Sequence, residues 1–204
     1  MAKTSLLVDA NDEALRLNDQ AIRYCLIQQL TRMAKRPKAI LEEVRVHHGN
    51  AIADVVSIHE QPHCYEIKGS TDNIHRAVKQ SLFYERTFKK MTLVTVERHA
   101  NAATRIMPLY WGIMTARADA GKIRLSYARP AKVNPYFDKT IALHTLWKSE
   151  LLDSDKARIV CGAKNMNRDE LTRLIAESLS EEALLKFIAT KLADRAVSQE
   201  SQSA

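Results

Sequence analysis

The chain has 204 residues, 46% of them apolar, with only five glycines and five prolines. This excludes collagen-like, low-complexity and largely disordered chains and leaves enough length to bury a core without disulfide staples. Thirty-one basic against 24 acidic residues give a formal charge of +7, an excess that favours an anionic partner without specifying one.

No apolar run is long enough to span a bilayer, and Met1 to Asp12 lacks the pattern of a secretory signal. Three widely spaced cysteines, Cys25, Cys64 and Cys161, suit a reducing compartment, so the expectation is a cytoplasmic protein with no membrane partner.

Residues 1–18 are read as a loosely fixed N-terminal arm. Asn18 or Asp19 can cap a helix to about Arg36, stopped by Pro37, with Ile22, Leu26, Leu30 and Met33 on one stripe. Residues 39–47 read as a strand with Leu41, Glu43, Arg45 and His47 on one face and Glu42, Val44 and Val46 on the other. After the turn residues His48-Gly49-Asn50, Ala51–Ile58 is a second strand, His59 to His63 a loop containing Pro62, and Cys64 to Lys68 a third strand. Such spacing predicts an antiparallel meander.

Gly69-Ser70 ends the sheet, and Thr71 or Asp72 can cap a helix to about Lys90 whose apolar stripe is Ile74, Val78 and Leu82. Residues 91–97 then form a buried strand, parallel to the third because a helix separates the two. Two further strands are expected at 105–115 and 122–128, the second hairpin turning at Asp119-Ala120-Gly121. From Thr140 the chain turns helical: a stripe of Leu143, Leu146, Trp147 and Leu151, a capping box at Asn167 and Glu170, and a last helix over 181–195. The fold class expected is α/β, a mixed central sheet flanked by helices over 19–152, then a helical extension over 153–196 and a disordered polar tail over 197–204.

Asp54, Glu66 and Lys68 carry the chemistry. Glu66 and Lys68, two apart on a strand, point to one side, and a hairpin of this length can set Asp54 opposite Glu66. Two carboxylates and an ammonium then converge, which suits a hard cation such as Mg²⁺ or Mn²⁺ and hydrolysis of a phosphodiester. The alternative is a solvated Asp and an exposed ion pair, but these charges stand inside apolar strands, where burial is costly unless they are paired or liganded. On the next helix Arg76, Gln80 and Tyr84 recur every four residues, a polar face that can meet the site or a nucleic acid.

The order D-x11-E-x-K followed by Q-x3-Y resembles the PD-(D/E)xK phosphodiesterases, in particular their RecB-type branch and single-domain bacterial or phage members, over residues 20–152. The resemblance implies a restriction-endonuclease-like core. It implies Asp54, Glu66 and the Ile67 carbonyl as metal ligands, Lys68 as the catalytic lysine, and Gln80 and Tyr84 as supports of the site and the nucleic acid. It also implies a further acid, Glu43 or Glu42, with Glu43 preferred, since on a strand at most one of them points inward. Ala53 departs from the proline of the family motif.

Arg86 and Lys89, with Lys35, Arg36, Lys38 and Lys90, are basic clusters that can meet DNA phosphates. Histidines 47, 48, 59 and 63 cluster near the hairpin without CxxC or HExxH spacing, so they are read as loop histidines and not as a zinc site. No Gly-rich phosphate loop is present in the sequence. The function expected is a Mg²⁺- or Mn²⁺-dependent deoxyribonuclease, as a homodimer if both duplex strands are cut. The alternatives are a non-catalytic nucleic-acid- or protein-binding module and a structure-selective repair nuclease.

Overall fold

The computed structural model describes residues 17–203. Of the expected N-terminal arm only its end is described, and there Leu17 is buried; the segment read for a secretory signal lies outside the described residues. Helix α1 (Asp19–Thr31) is capped by Asn18, whose side chain accepts the Ala21 N–H at 2.8 Å. It ends five residues before Arg36, with Met33 already exposed.

Six strands form one mixed sheet in sequential order, so the chain is α/β with a sheet flanked by helices. Strands β1 (Ala39–Val46), β2 (Ala51–Ile58) and β3 (Pro62–Lys68) form the antiparallel meander. Pro62 and His63, expected in a loop, belong to β3; Pro62 stands first in the strand, where its missing N–H costs no ladder bond.

Helix α2 (His75–Thr87) leads to β4 (Lys90–Val96), parallel to β3 as predicted. Helix α3 (Ala100–Ile106) then leads to β5 (Gly112–Asp119), parallel to β4, and β6 (Lys122–Arg129) returns antiparallel. The strand expected from 105 is therefore corrected: an alanine-rich helical turn comes first, and Arg129 donates to the Met107, Pro108 and Trp111 carbonyls to hold the loop behind it. Ala120 and Gly121 both have positive φ (47° and 77°), the backbone of a tight hairpin turn.

Five helices follow: α4 (Lys139–Leu143), α5 (Lys148–Leu152), α6 (Asp155–Ile159), α7 (Arg168–Ser178) and α8 (Glu181–Ser203). The Asn167–Glu170 capping box opens α7 as read from the sequence. Trp147, expected in the core, is half-exposed and stacks under the Arg195 guanidinium, 4.2 Å from its ring centre. Helix α8 continues past 195, so residues 197–203, expected to be disordered, are helical.

The core has two parts, one per face of the sheet. Leu17, Ile22, Leu26 and Leu30 pack on Val55, Tyr65, Ile67, Val94 and Met114. On the other face Leu143, Leu151, Leu171, Ile175, Leu184, Ile188 and Leu192 join Leu41, Val56, Leu93, Tyr84 and Trp111. Each such fully buried side chain contributes about 1.5–3 kcal/mol, so the C-terminal helices are bound to the sheet by the same burial that holds α2. On α2 the buried edge is Ala77, Ser81, Tyr84 and Glu85, while Leu82 is 65% exposed. Of the predicted Ile74–Val78–Leu82 stripe, Ile74 and Val78 pack on the core as expected and Leu82 does not, since the last turns of α2 face inward through Ser81, Tyr84 and Glu85.

Candidate functional site

Strands β1 and β2 keep one register, Leu41 opposite Val56, Glu42 opposite Val55 and Val44 opposite Ala53. Their faces nevertheless reverse midway: Leu41 and Val44, three apart, both point into the α2-side core, as do Val56 and Ala53. An unbroken pleat sends residues three apart to opposite faces. The reversal falls at the Glu43–Asp54 position, where Glu43 takes a left-handed backbone (φ 54°), at a cost of about 1–2 kcal/mol for a residue with a Cβ.

The β2–β3 pairing ends beside this kink, at Val55–Tyr65. Farther along β3, the Ile67 N–H donates at 2.7 Å to Asp54 Oδ2. The Asp54 carboxylate thereby takes the place of a ladder carbonyl, and the two strands splay around it.

Glu66 follows the pleat into the α2-side core, where it is 1% exposed. Its Oε1 accepts from Lys68 Nζ, and its Oε2 lies 2.8 Å from the Tyr84 hydroxyl. The same hydroxyl is 2.7 Å from the Ile52 carbonyl, so one phenolic hydrogen serves two acceptors. Burial, then the neighbouring Glu66 charge, raise the Tyr84 pKa, and the phenol stays protonated. Burial first and the Glu66 charge second push Asp54 up to about 7, while the Ile67 N–H and Lys68 pull it down. Glu66, Lys68 and Tyr84 are thus bonded to one another, and Asp54 joins their strand through the Ile67 N–H, within range of the Glu66 and Lys68 charges.

The sequence reading missed Arg23. It rises from α1, on the opposite face, and its guanidinium meets Asp54 Oδ1 at 3.3 Å, Asp19 Oδ2 at 3.2 Å, Glu43 Oε1 at 3.2 Å and Glu42 Oε2 at 3.8 Å. Its pKa is raised: desolvation opposes the shift, but the facing carboxylates outweigh it. Neither Glu42 nor Glu43 is buried: their side chains are 51% and 70% exposed and both reach Arg23, because the left-handed Glu43 interrupts the alternation, so Glu43, the preferred further ligand, is a partner of Arg23 at the surface. The i, i+4 spacing of Asp19 and Arg23 was the available signal, though only the fold brings three strand acids to the same guanidinium.

Gln80 is half-buried and its Oε1 is buried without a hydrogen-bond partner. Ile67 reaches Asp54 through its N–H, while its side chain is buried against α1.

The expected nucleic-acid contacts are largely redirected. Tyr84 is fully buried and meets Glu66, so it supports the site from within. Arg86 pairs with Asp138 at 2.6 Å, and Lys89 pairs with Glu181 at 2.8 Å and lies over the Phe137 ring; these ties hold the C-terminal helices to α2 and β4. Arg76 is exposed on α2. Among the hairpin histidines, His63 stacks on Tyr65 and contacts Thr92 Oγ1 at 2.9 Å, so it is a strand residue.

A family model described as Bacteriophage P4 protein cII matches residues 13–202. Protein cII of Enterobacteria phage P4 is 23% identical to this chain over 180 residues, covering 88% of this chain and 68% of that protein. No solved structure matches. These findings correct the resemblance to the PD-(D/E)xK phosphodiesterases: the match found is to another family, and it takes in the C-terminal helices as well as the sheet. They agree with the phage setting expected from the sequence. Among the described residues no helix is long and apolar enough to cross a membrane.

Proposed function

The chain belongs to the bacteriophage P4 protein cII family, and for it we propose metal-dependent hydrolysis of DNA phosphodiester bonds at Asp54, Glu66 and Lys68. The observation that carries the reading is the hydrogen bond from the Ile67 N–H to Asp54, which sets a partly buried carboxylate of β2 against the strand that carries the buried Glu66 and its Lys68 ammonium, near enough for both charges to act on it. The reading rests on this site alone; it requires neither the PD-(D/E)xK superfamily nor a restriction-endonuclease-like core.

The donor set fits a hard cation, since carboxylate oxygens and a strand carbonyl are the ligands such ions take. Mg²⁺ or Mn²⁺ held by Asp54, Glu66 and the Ile67 carbonyl would supply polarisation of the phosphate and a more acidic water. The chain's own residues do the rest. The Ile67 N–H fixes Asp54, and the Tyr84 hydroxyl fixes Glu66. Lys68, at 12% exposure, retains an edge to solvent from which its ammonium can orient water or offset charge gathering on the phosphate. Arg23 balances the carboxylates in the free protein and can turn its planar fork to a phosphate when a strand arrives.

A net charge of +7 favours the polyanion's approach, and cutting both strands with one site per chain favours a homodimer. The test is incubation with supercoiled, linear, single-stranded and branched DNA in Mg²⁺, Mn²⁺ or chelator. Cleavage is expected with metal only, falling at least a hundredfold in Asp54→Asn and Lys68→Ala. Equal cleavage by these variants would refute the assignment, and cleavage confined to branched DNA would make the protein a structure-selective nuclease.

A second reading, a non-catalytic nucleic-acid- or protein-binding module, is favoured by one observation: Arg23 already supplies an internal cation to four carboxylates. A binder of that kind shows no Asp54-dependent Mn²⁺ binding, while its DNA affinity still falls with salt.

A further inference from the structure

The turn between β1 and β2 meets the C-terminal helices through histidines. His48, exposed and left-handed at φ 60°, lies with its ring centre 4.0 Å from that of His144, the residue that ends α4. Asp169, in the first turn of α7, completes a triangle: one ligand atom from each of the three residues lies within 4.8 Å of the others. His144 Nε2 and Asp169 Oδ1 are 3.6 Å apart.

A second observation points the same way. His144 is buried, yet its Nδ1 has no hydrogen-bond partner and its Nε2 has only a long 3.4 Å contact with Thr172 Oγ1. A buried imidazole left this poorly satisfied costs about 1–3 kcal/mol. An ion shared with Asp169 would take Nε2, the nitrogen that faces that carboxylate, in place of the long Thr172 contact.

We propose that His48, His144 and Asp169 form a binding site for a zinc-class divalent ion that ties the β1–β2 turn to the C-terminal helices. Two imidazoles and a carboxylate are a donor set that zinc accepts at about 2.0–2.2 Å, with a fourth position left to water. Ligands at that distance stand about 3.3–3.6 Å apart in a tetrahedron, which His144 and Asp169 already approach. The remaining adjustment falls to His48, an exposed side chain on a turn, whose ring must turn away from that of His144 so that one nitrogen of each faces the ion.

The three residues come from segments about 100 and 25 positions apart, so the ion would add a cross-link between the β1–β2 turn and helices that already share hydrogen bonds with one another. One feature opposes binding: Arg168, donating to the His144 carbonyl, brings positive charge close, which makes the Asp169 carboxylate indispensable. The site borders a recess of about 560 Å³ that also contains Glu42 and Glu43, so water and ions have a path to it.

The test uses the full chain carrying Asp54→Asn, which disables the first site, stripped of metal and titrated with Co²⁺ and then Zn²⁺. One equivalent of Co²⁺ should bind with the visible absorption of a four- or five-coordinate site, Zn²⁺ should displace it, and the thermal midpoint should rise. His48→Ala and Asp169→Asn, both at exposed positions, should each weaken Co²⁺ binding at least tenfold, while His75→Ala should leave it unchanged. Absence of Co²⁺ and Zn²⁺ binding at micromolar concentrations, or binding unaltered by His48→Ala and Asp169→Asn, would overturn the proposal. Because Asp54 is absent throughout, neither result bears on the nuclease reading.

Discussion

Replacing Asp54 by Asn should make the metal-free protein more stable, increasingly so as pH rises. Asp54 ordinarily ionises near 3.8, but burial and Glu66 hold it at about 7 in the fold. Below 3.8 the carboxyl is neutral in both states and costs nothing. Between the two values the unfolded chain releases a proton that the folded protein keeps, so stability falls as pH rises, and above 7 the full cost is present. Three units at 1.36 kcal/mol each amount to about 4 kcal/mol. Arg23 at 3.3 Å returns part of this, which leaves roughly 2–4 kcal/mol at pH 8. Asparagine carries no charge, and its carbonyl oxygen can still accept the Ile67 N–H.

The assay is urea unfolding of both proteins with chelator at pH 5 and pH 8. Somewhat more than a third of that cost is already present at pH 5, so the advantage of Asp54→Asn should grow by about 1–2.5 kcal/mol between the two pH values. The histidines titrate in both proteins and cancel in the difference. A constant difference, or a variant less stable than wild type at pH 8, would refute the claim that burial of this carboxylate opposes folding.

Three further outcomes follow from the same geometry. Removing Lys68 leaves Glu66 buried without its ammonium, so Lys68→Ala should unfold at lower urea by roughly 3 kcal/mol, and restoring length without charge in Lys68→Met should not recover the loss. Gly69 lies against the chain entering α1; a Cβ there would stand 2.9 Å from the Asp19 nitrogen and 3.1 Å from the Leu17 oxygen. Both are backbone atoms, so Gly69→Ala should cost about 1–3 kcal/mol in an unfolding titration. Burial, with help from Lys90 and His59, lowers the His63 pKa to about 3. Its contribution is complete above pH 6.5 and is lost as pH falls toward 3, so His63→Gln should flatten the acid limb of the stability profile by about 2–3 kcal/mol between pH 6.5 and pH 4.

Periodicity made much of this molecule legible. The meander, the parallel return after α2, the hairpin at Ala120-Gly121 and the capping box of α7 each depend on residues close in sequence, and each is present. So is the meeting of Asp54 with the Glu66–Lys68 strand, since a hairpin of fixed length leaves little freedom in register. Beyond that reach, local pattern failed. Nothing near Glu43 announces that its backbone turns left-handed, and that one residue lets both strand acids face Arg23. Leu82 looked like core by spacing, yet the last turns of α2 face inward through Ser81, Tyr84 and Glu85. His48, His144 and Asp169 are individually unremarkable and meet because the C-terminal helices bury their leucines on the sheet beside the β1–β2 turn. Burial against a neighbour chooses which side of a helix faces in and which distant charges become partners, and spacing along the chain holds no record of that choice.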